Sequence, residues 1–152
     1  MQLHLMRHGE ANPVILDPEK GLSQKGILIT KKIADLLKKQ EIHLDIIFTS
    51  FKKRALQTSE IMQKGLGNPE IISLSILDPN EDPTELLAYL KNSQEFKSVL
   101  IVGHLPFLEN LVTLLMPDIK KPIKFENSDF CTFEIQNFDS KQTKFLQFYS
   151  SN

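Results

Sequence analysis

Short apolar runs alternate with amphipathic stripes along this chain, and that alternation restricts the fold more than any other feature. Residues 2–6 read as a strand. Ile29, Ile33, Leu36 and Leu37 then recur at helical spacing within Gln24–Gln40, with Ser23 as the N-cap. Asp45–Thr49 reads as a second strand, followed by a helix from Phe51 to Lys64 with Ser50 as its cap and Gly65 and Gly67 as its stop. A third strand covers Ile71–Leu74. The turn residues Asp78-Pro79-Asn80-Glu81-Asp82 lead into a helix capped by Asp82, with Pro83 in its first turn and a stripe of Pro83, Leu86, Leu87 and Leu90. Val99–Val102 is the fourth strand, and Leu108, Leu111, Val112 and Leu115 mark a last helix ended by Pro117. Phe130–Ile135 and Lys144–Phe148 alternate loosely, as two strands of a hairpin joined through Asn137–Lys141. Strand, helix, strand, helix predicts an α/β three-layer sandwich. Its central sheet is mostly parallel with helices on both faces, and the C-terminal antiparallel hairpin adds edge strands.

Composition bounds the rest. A chain of 152 residues with 41% hydrophobic content is expected to form a single domain over residues 1–152 with an adequate core. A formal net charge of -1 argues against a broadly basic surface for nucleic acid and directs attention to local charge. Cys131 is the only cysteine and has no partner for an internal disulfide. There is no apolar run long enough for a membrane span and no secretory-type start, so a cytoplasmic location and no membrane partner are expected. Phe125, Phe130 and Phe133 read as core or hairpin packing.

Two of the strands end in histidine, as Arg7-His8-Gly9 and as Gly103-His104. Ligands of parallel sheets gather beyond the carboxyl ends of the strands, so both imidazoles can face one pocket. The helix after the second strand adds an anomaly. Its first turn carries unpaired N–H groups and a partial positive charge that favour acidic residues, yet Lys52, Lys53 and Arg54 stand there. Cations at that end cost stability unless an anion joins them, which makes Arg54 a candidate phosphate ligand. Lys52 and Lys53 read as solvated side chains.

Four motifs in order, Arg7-His8-Gly9, Leu22-Ser23-Gln24-Lys25-Gly26, Ser50-x-x-x-Arg54-Ala55-x-Gln57-Thr58 and Gly103-His104, resemble those of the histidine phosphatase superfamily. The short chain and the run Val102-Gly103-His104-Leu105-Pro106 are similar to its small branch of SixA-type phosphohistidine phosphatases. The resemblance implies that His8 attacks phosphorus to give a phosphohistidine intermediate that water hydrolyses. It implies that Arg7 and Arg54 hold the phosphoryl oxygens while disfavouring protonation of His8, and that His104 donates to the same oxygens, in its neutral or its protonated form.

Other polar residues have simpler readings. His4 lies inside a strand and His43 in a polar connection, Ser23 is a cap, and Ser128 reads as a turn residue with an anion contact as the alternative. Glu10 either orients the loop after His8 or faces solvent. Candidates for a general acid are Asp78, Glu81, Asp82 and Glu85, none within a matching motif, and Asp82 and Glu85 are already explained as helix N-terminal residues. An imidazole leaving group needs less proton help than an alkoxide, so the lack of a clear acid favours phosphohistidine over a phosphoester. The connection at 75–82 is too short to form a substantial lid. The expected activity is removal of phosphate from phosphohistidine on a protein partner such as a phosphotransfer domain. The alternatives are a phosphatase for small phosphorylated metabolites, a non-catalytic phosphoprotein-binding module and, less favoured because it needs a closed pocket that retains the intermediate, a mutase. No cofactor or metal is expected, because His8 and His104 lack further ligands at recognisable spacing and the arginines repel cations.

Overall fold

The computed structural model describes residues 1–140 and 142–152. Its six-stranded sheet comprises β1 (Gln2–Arg7), β2 (Ile46–Thr49), β3 (Glu70–Ser73), β4 (Ser98–Gly103), β5 (Phe130–Asn137) and β6 (Gln142–Tyr149), in the spatial order β3-β2-β4-β1-β5-β6. The first four strands are mutually parallel, while β5 runs antiparallel to both β1 and β6. The helices are α1 (Gln24–Lys39), α2 (Lys53–Gly65), α3 (Pro83–Lys91) and α4 (Phe107–Leu115). Helices cover both faces, so the α/β sandwich expected from the alternation is the fold observed. The hairpin turn at 138–140 is held by the Asn137 side chain, which accepts from Asp139 N at 2.8 Å and Ser140 N at 3.0 Å; Lys141, also assigned to this connection, lies outside the described residues.

The strand register explains why each face is apolar. Leu3 pairs with Val99 and Phe133, Leu5 with Ile101 and Cys131, and Val99 with Ile46, so one face presents a continuous apolar sheet to α3 and α4. The residues between them, Met6, Ile47, Leu100, Val102 and Phe130, face Ile33, Ala34 and Leu37 of α1 and Ala55 and Met62 of α2. Phe125, Phe130 and Phe133 are all buried. Side chains alternate across a strand, so a one-residue slip would turn both cores outward at once.

Two local expectations are corrected. Gly65 does not stop α2. It is the last helical residue, and a Cβ there would stand 2.8 Å from the Cβ of Ala34, so this glycine permits α1 and α2 to approach closely; the chain turns afterwards at Gly67, with φ of 88°. Ser50 does not cap α2 either. The helix starts at Lys53, with Lys52 in the cap position and no side chain capping it. Ser50 is directed instead at His104, as described below. Ser23 and Asp82 do act as caps, accepting from Gly26 N at 3.0 Å and Thr84 N at 2.9 Å.

His4 is fully buried in β1, and its neighbours account for both ring nitrogens. The Ser98 hydroxyl donates to His43 O at 2.6 Å, so it accepts from His4 Nε2 at 3.0 Å, and His4 Nδ1 then accepts from the Thr132 hydroxyl at 2.8 Å. The ring also stacks on Phe130 with centroids 5.3 Å apart. This is a structural histidine. Burial lowers its pKa to about 4, so the unfolded chain takes up a proton near pH 6.5 before the folded one does. The contribution of His4 to stability is therefore complete above pH 6.5 and lost as pH falls toward 4, by about 1.4 kcal/mol per pH unit within that window. Chemical denaturation between pH 7 and 4 should show a shallower acid loss for His4→Gln than for the wild type. Equal slopes would show that His4 does not titrate in this way.

Candidate active site

The carboxyl ends of β1, β4 and β2 lie side by side, because Arg7 pairs with Gly103 and Val102 with Thr49. Each strand releases its chain into the same crevice, with Arg7 ending β1 and His8 following it, His104 after β4, and Ser50 followed by the start of α2 after β2. His8 N donates to Gly103 O at 3.1 Å, which ties the two histidine-bearing turns together. The rings of His8 and His104 have centroids 5.0 Å apart and an interplanar angle of 53°. The four residues singled out from sequence, Arg7, His8, Arg54 and His104, therefore meet in one place.

The protonation of His8 follows from its partners. Nδ1 lies 2.8 Å from Gly9 O, which can only accept, so the ring proton is on Nδ1. Nε2 keeps its lone pair and accepts from Arg54 Nε at 3.3 Å. Burial lowers the pKa of His8 to about 4, opposed by the Gly9 carbonyl and assisted by the charges of Arg54, Arg7 and Lys20. His104 is lowered further, to about 3, by burial first and then by His8, Arg54, Lys52 and Arg7. Of the two protonation states left open for His104, this environment selects the neutral one. Its Nε2 is 2.5 Å from Ser50 Oγ, and its Nδ1 is buried without a protein partner.

Backbone and helix contacts fix these side chains. Arg7 donates from one terminal nitrogen to Phe125 O at 2.9 Å, while its Nε is buried with no partner. Ser128 N donates to Arg7 O and His8 O, and Asn127 Nδ2 donates to His8 O at 3.1 Å. Thr58 of α2 accepts from Gly9 N at 3.0 Å and donates to Arg54 O at 2.8 Å, so a single hydroxyl joins the histidine loop to the arginine helix. Gln57 accepts from Leu22 N at 2.6 Å, which joins the same helix to the turn entering α1. Gly26 lets that turn close: a Cβ there would stand 2.2 Å from Glu10 O.

Several sequence readings change at this level. Ser128 contributes no hydroxyl to the pocket, because it is fully buried, has φ of 65° and is bonded to Thr30 Oγ1 at 2.9 Å. Lys53 is not merely solvated; its Nζ lies 3.3 Å from both Asp17 and Glu19 and anchors the loop after β1 to α2. Lys52 is exposed, as expected. Glu10 pairs with Lys25 at 3.8 Å. Among the proposed acids, Glu81, Asp82 and Glu85 are exposed, and Asp78 is half-buried with one carboxylate oxygen lacking a partner. None of the hydrogen bonds or ion pairs that Arg7, His8, Arg54 and His104 make among the described residues is to a carboxylate.

Ser50, Gln57, Thr58 and Asn127 acquire roles that the sequence reading did not give them. The first three stand inside the quoted motif around Arg54, and that was the available signal. Asn127 lies in an irregular segment and had none. No helix among the described residues is long and apolar enough to cross a membrane.

Comparison with known proteins supplies independent support. The model of the histidine phosphatase superfamily (branch 1) matches residues 3–78, half of the chain. The structure resembles that of the protein histidine phosphatase SixA complexed with tungstate, with a TM-score of 0.89 and 29% identity over 99% of this chain and 97% of that one. It also resembles a candidate phosphohistidine phosphatase SixA from Agrobacterium tumefaciens, with a TM-score of 0.78 and 22% identity over 98% and 97% of the two chains. Phosphoserine phosphatase from Entamoeba histolytica, in complex with 3-phosphoglyceric acid, shares the fold at a TM-score of 0.74 and 18% identity, over 98% and 96%. No curated protein sequence matches the chain. The family match reaches from β1 through α2, where three of the four pocket residues reside, and the likeness in fold extends through β4 and its histidine: the chain belongs to the histidine phosphatase superfamily, branch 1.

Proposed function

We propose that this phosphatase removes the phosphoryl group from phosphohistidine on a partner protein, through a covalent intermediate on His8. The observation that carries the reading is the lone pair of His8 Nε2, held beside the Arg54 guanidinium in a pocket whose four main side chains have no carboxylate partner among the described residues. Two guanidinium groups without a carboxylate favour an anion, and the planar fork of arginine suits phosphoryl oxygens. His8 Nε2 forms a bond to phosphorus as the P–N bond to the substrate imidazole breaks. With its other nitrogen protonated, that imidazole departs neutral and requires no acid. Arg7 and Arg54 hold the equatorial oxygens, and His104 donates to one of them. Water then attacks phosphorus, its proton passing to the phosphate product, and His8 is regenerated with its proton still on Nδ1.

The surroundings of the pocket support a protein as the carrier. In the loop after β1, Val14, Ile15 and Leu16 are 59%, 90% and 75% exposed, and Phe51, just before α2, is 61% exposed. The contact of Lys53 with Asp17 holds this loop against the start of α2. Lys20 and Lys52 are close enough to bear electrostatically on His8 and His104. Exposed apolar side chains interleaved with cations beside a phosphoryl pocket suit a protein surface better than a small metabolite.

Three outcomes test the proposal. A histidine-phosphorylated phosphotransfer domain should lose its phosphate in the presence of the enzyme at a kcat/KM well above that for p-nitrophenyl phosphate or phosphoserine. Retained label together with brisk turnover of small phosphoesters would assign the activity to metabolites instead. Rapid acid-free quenching should trap acid-labile phosphate on the wild type and none on His8→Ala, whereas Arg54→Ala should lower kcat by about 10²- to 10³-fold. Absence of trapped phosphate on the wild type would favour a binding module. Finally, the double variant Ile15→Ser, Leu16→Ser should raise KM for the phosphorylated domain while leaving turnover of p-nitrophenyl phosphate unchanged.

A further inference from the structure

Ser50 and His104 stand 54 residues apart in sequence, yet their side chains share a 2.5 Å hydrogen bond in a fully buried position. Which atom donates decides what the ring can offer to a ligand. Ser50 Oγ already accepts from the Lys52 backbone N–H at 3.3 Å, and its hydroxyl carries one hydrogen. Among the described residues, His104 Nε2 is the acceptor within reach of that hydrogen. Were Nε2 instead the donor, the serine hydrogen would be buried without a partner, an arrangement that native structures avoid. The ring's other nitrogen, Nδ1, is buried and also has no protein partner.

From this geometry we infer that Ser50 is a positioning residue, whose hydroxyl donates to His104 Nε2 and thereby keeps the ring proton on Nδ1 as a donor to the phosphoryl oxygens. A neutral imidazole has a single N–H, so the alternative tautomer would present a lone pair to an anion and repel it. The choice matters because burial first, and then His8, Arg54, Lys52 and Arg7, disfavour the doubly protonated ring, so the donor depends on which nitrogen holds the single proton. The two histidines then form a complementary pair. Each carries its proton on Nδ1, but His8 directs that proton at its own loop and leaves Nε2 nucleophilic, whereas His104 anchors Nε2 and leaves Nδ1–H for the ligand.

This inference rests on the pocket binding a phosphoryl group and is independent of whether the carrier is a protein or a metabolite. The test uses ¹⁵N-histidine-labelled full-length protein with and without orthovanadate, reading each ring nitrogen from its shift and its long-range couplings. In the wild type at pH 7, His104 should appear as the Nδ1–H tautomer in both states. In Ser50→Ala the population should move toward Nε2–H, with vanadate affinity and kcat falling by about 10²-fold, and Ser50→Thr should restore the wild-type tautomer and most of the activity. Observation of Nε2–H at His104 in the wild type would overturn the inference without any variant having to fold. An unchanged tautomer in folded Ser50→Ala would overturn it as well. Failure of phosphohistidine turnover with the expected tautomers intact would count against the proposed substrate alone.

Discussion

Unpaired positive charge is the constraint around which this site is organised. Arg7, Arg54 and the uncapped start of α2 converge where three parallel strands end, and no carboxylate among the described contacts of the two arginines neutralises them. A charged pocket of this kind stores unfavourable electrostatic energy that an incoming phosphoryl group relieves, so binding and the cost of folding are two aspects of one arrangement. Burial, assisted by the same field, explains why two histidines can lie 5.0 Å apart. Each is neutral, and neutrality is what the proposed attack through one ring and hydrogen bonding through the other require.

Rigidity comes from backbone and short polar side chains, not from further charges. Gly9 N, the Thr58 hydroxyl and Arg54 O form a continuous hydrogen-bonded link from the loop after β1 to α2. Gln57 extends that link to the entrance of α1, and Gly26 allows the entrance to close on the backbone of Glu10. The motifs around the site thus specify the distances between three loops as much as they supply reactive groups. A nucleophile on a flexible loop would lose much of its advantage, because displacement at phosphorus depends on alignment.

How much of this could be read from the sequence depended on the range of the interaction. Alternating apolar residues, the caps Ser23 and Asp82 and the strand-terminal histidines are local patterns, and they located the elements, the layers and the four pocket residues. Gly65 misled because a glycine near a helix end has two uses, and only the proximity of Ala34 on a distant helix shows which applies. Ser50 misled for a similar reason, since a serine before a helix is normally a cap and its real partner is 54 residues away. The pairing of Lys53 with Asp17 and Glu19 depends on how the loop after β1 folds, which short-range pattern does not encode.

The direction of β5 has a consequence for how such a scaffold can diversify. Because it runs against β1, the end of β5 that reaches the crevice is its beginning, and the segment delivered there is the one upstream, which supplies Phe125 O to Arg7 and Asn127 to the carbonyl of His8. That upstream segment joins α4 to the first residue of β5. Its length can therefore grow into a roof over the pocket while every strand keeps its register, giving the architecture a route from an open site to an enclosed one through a single insertion.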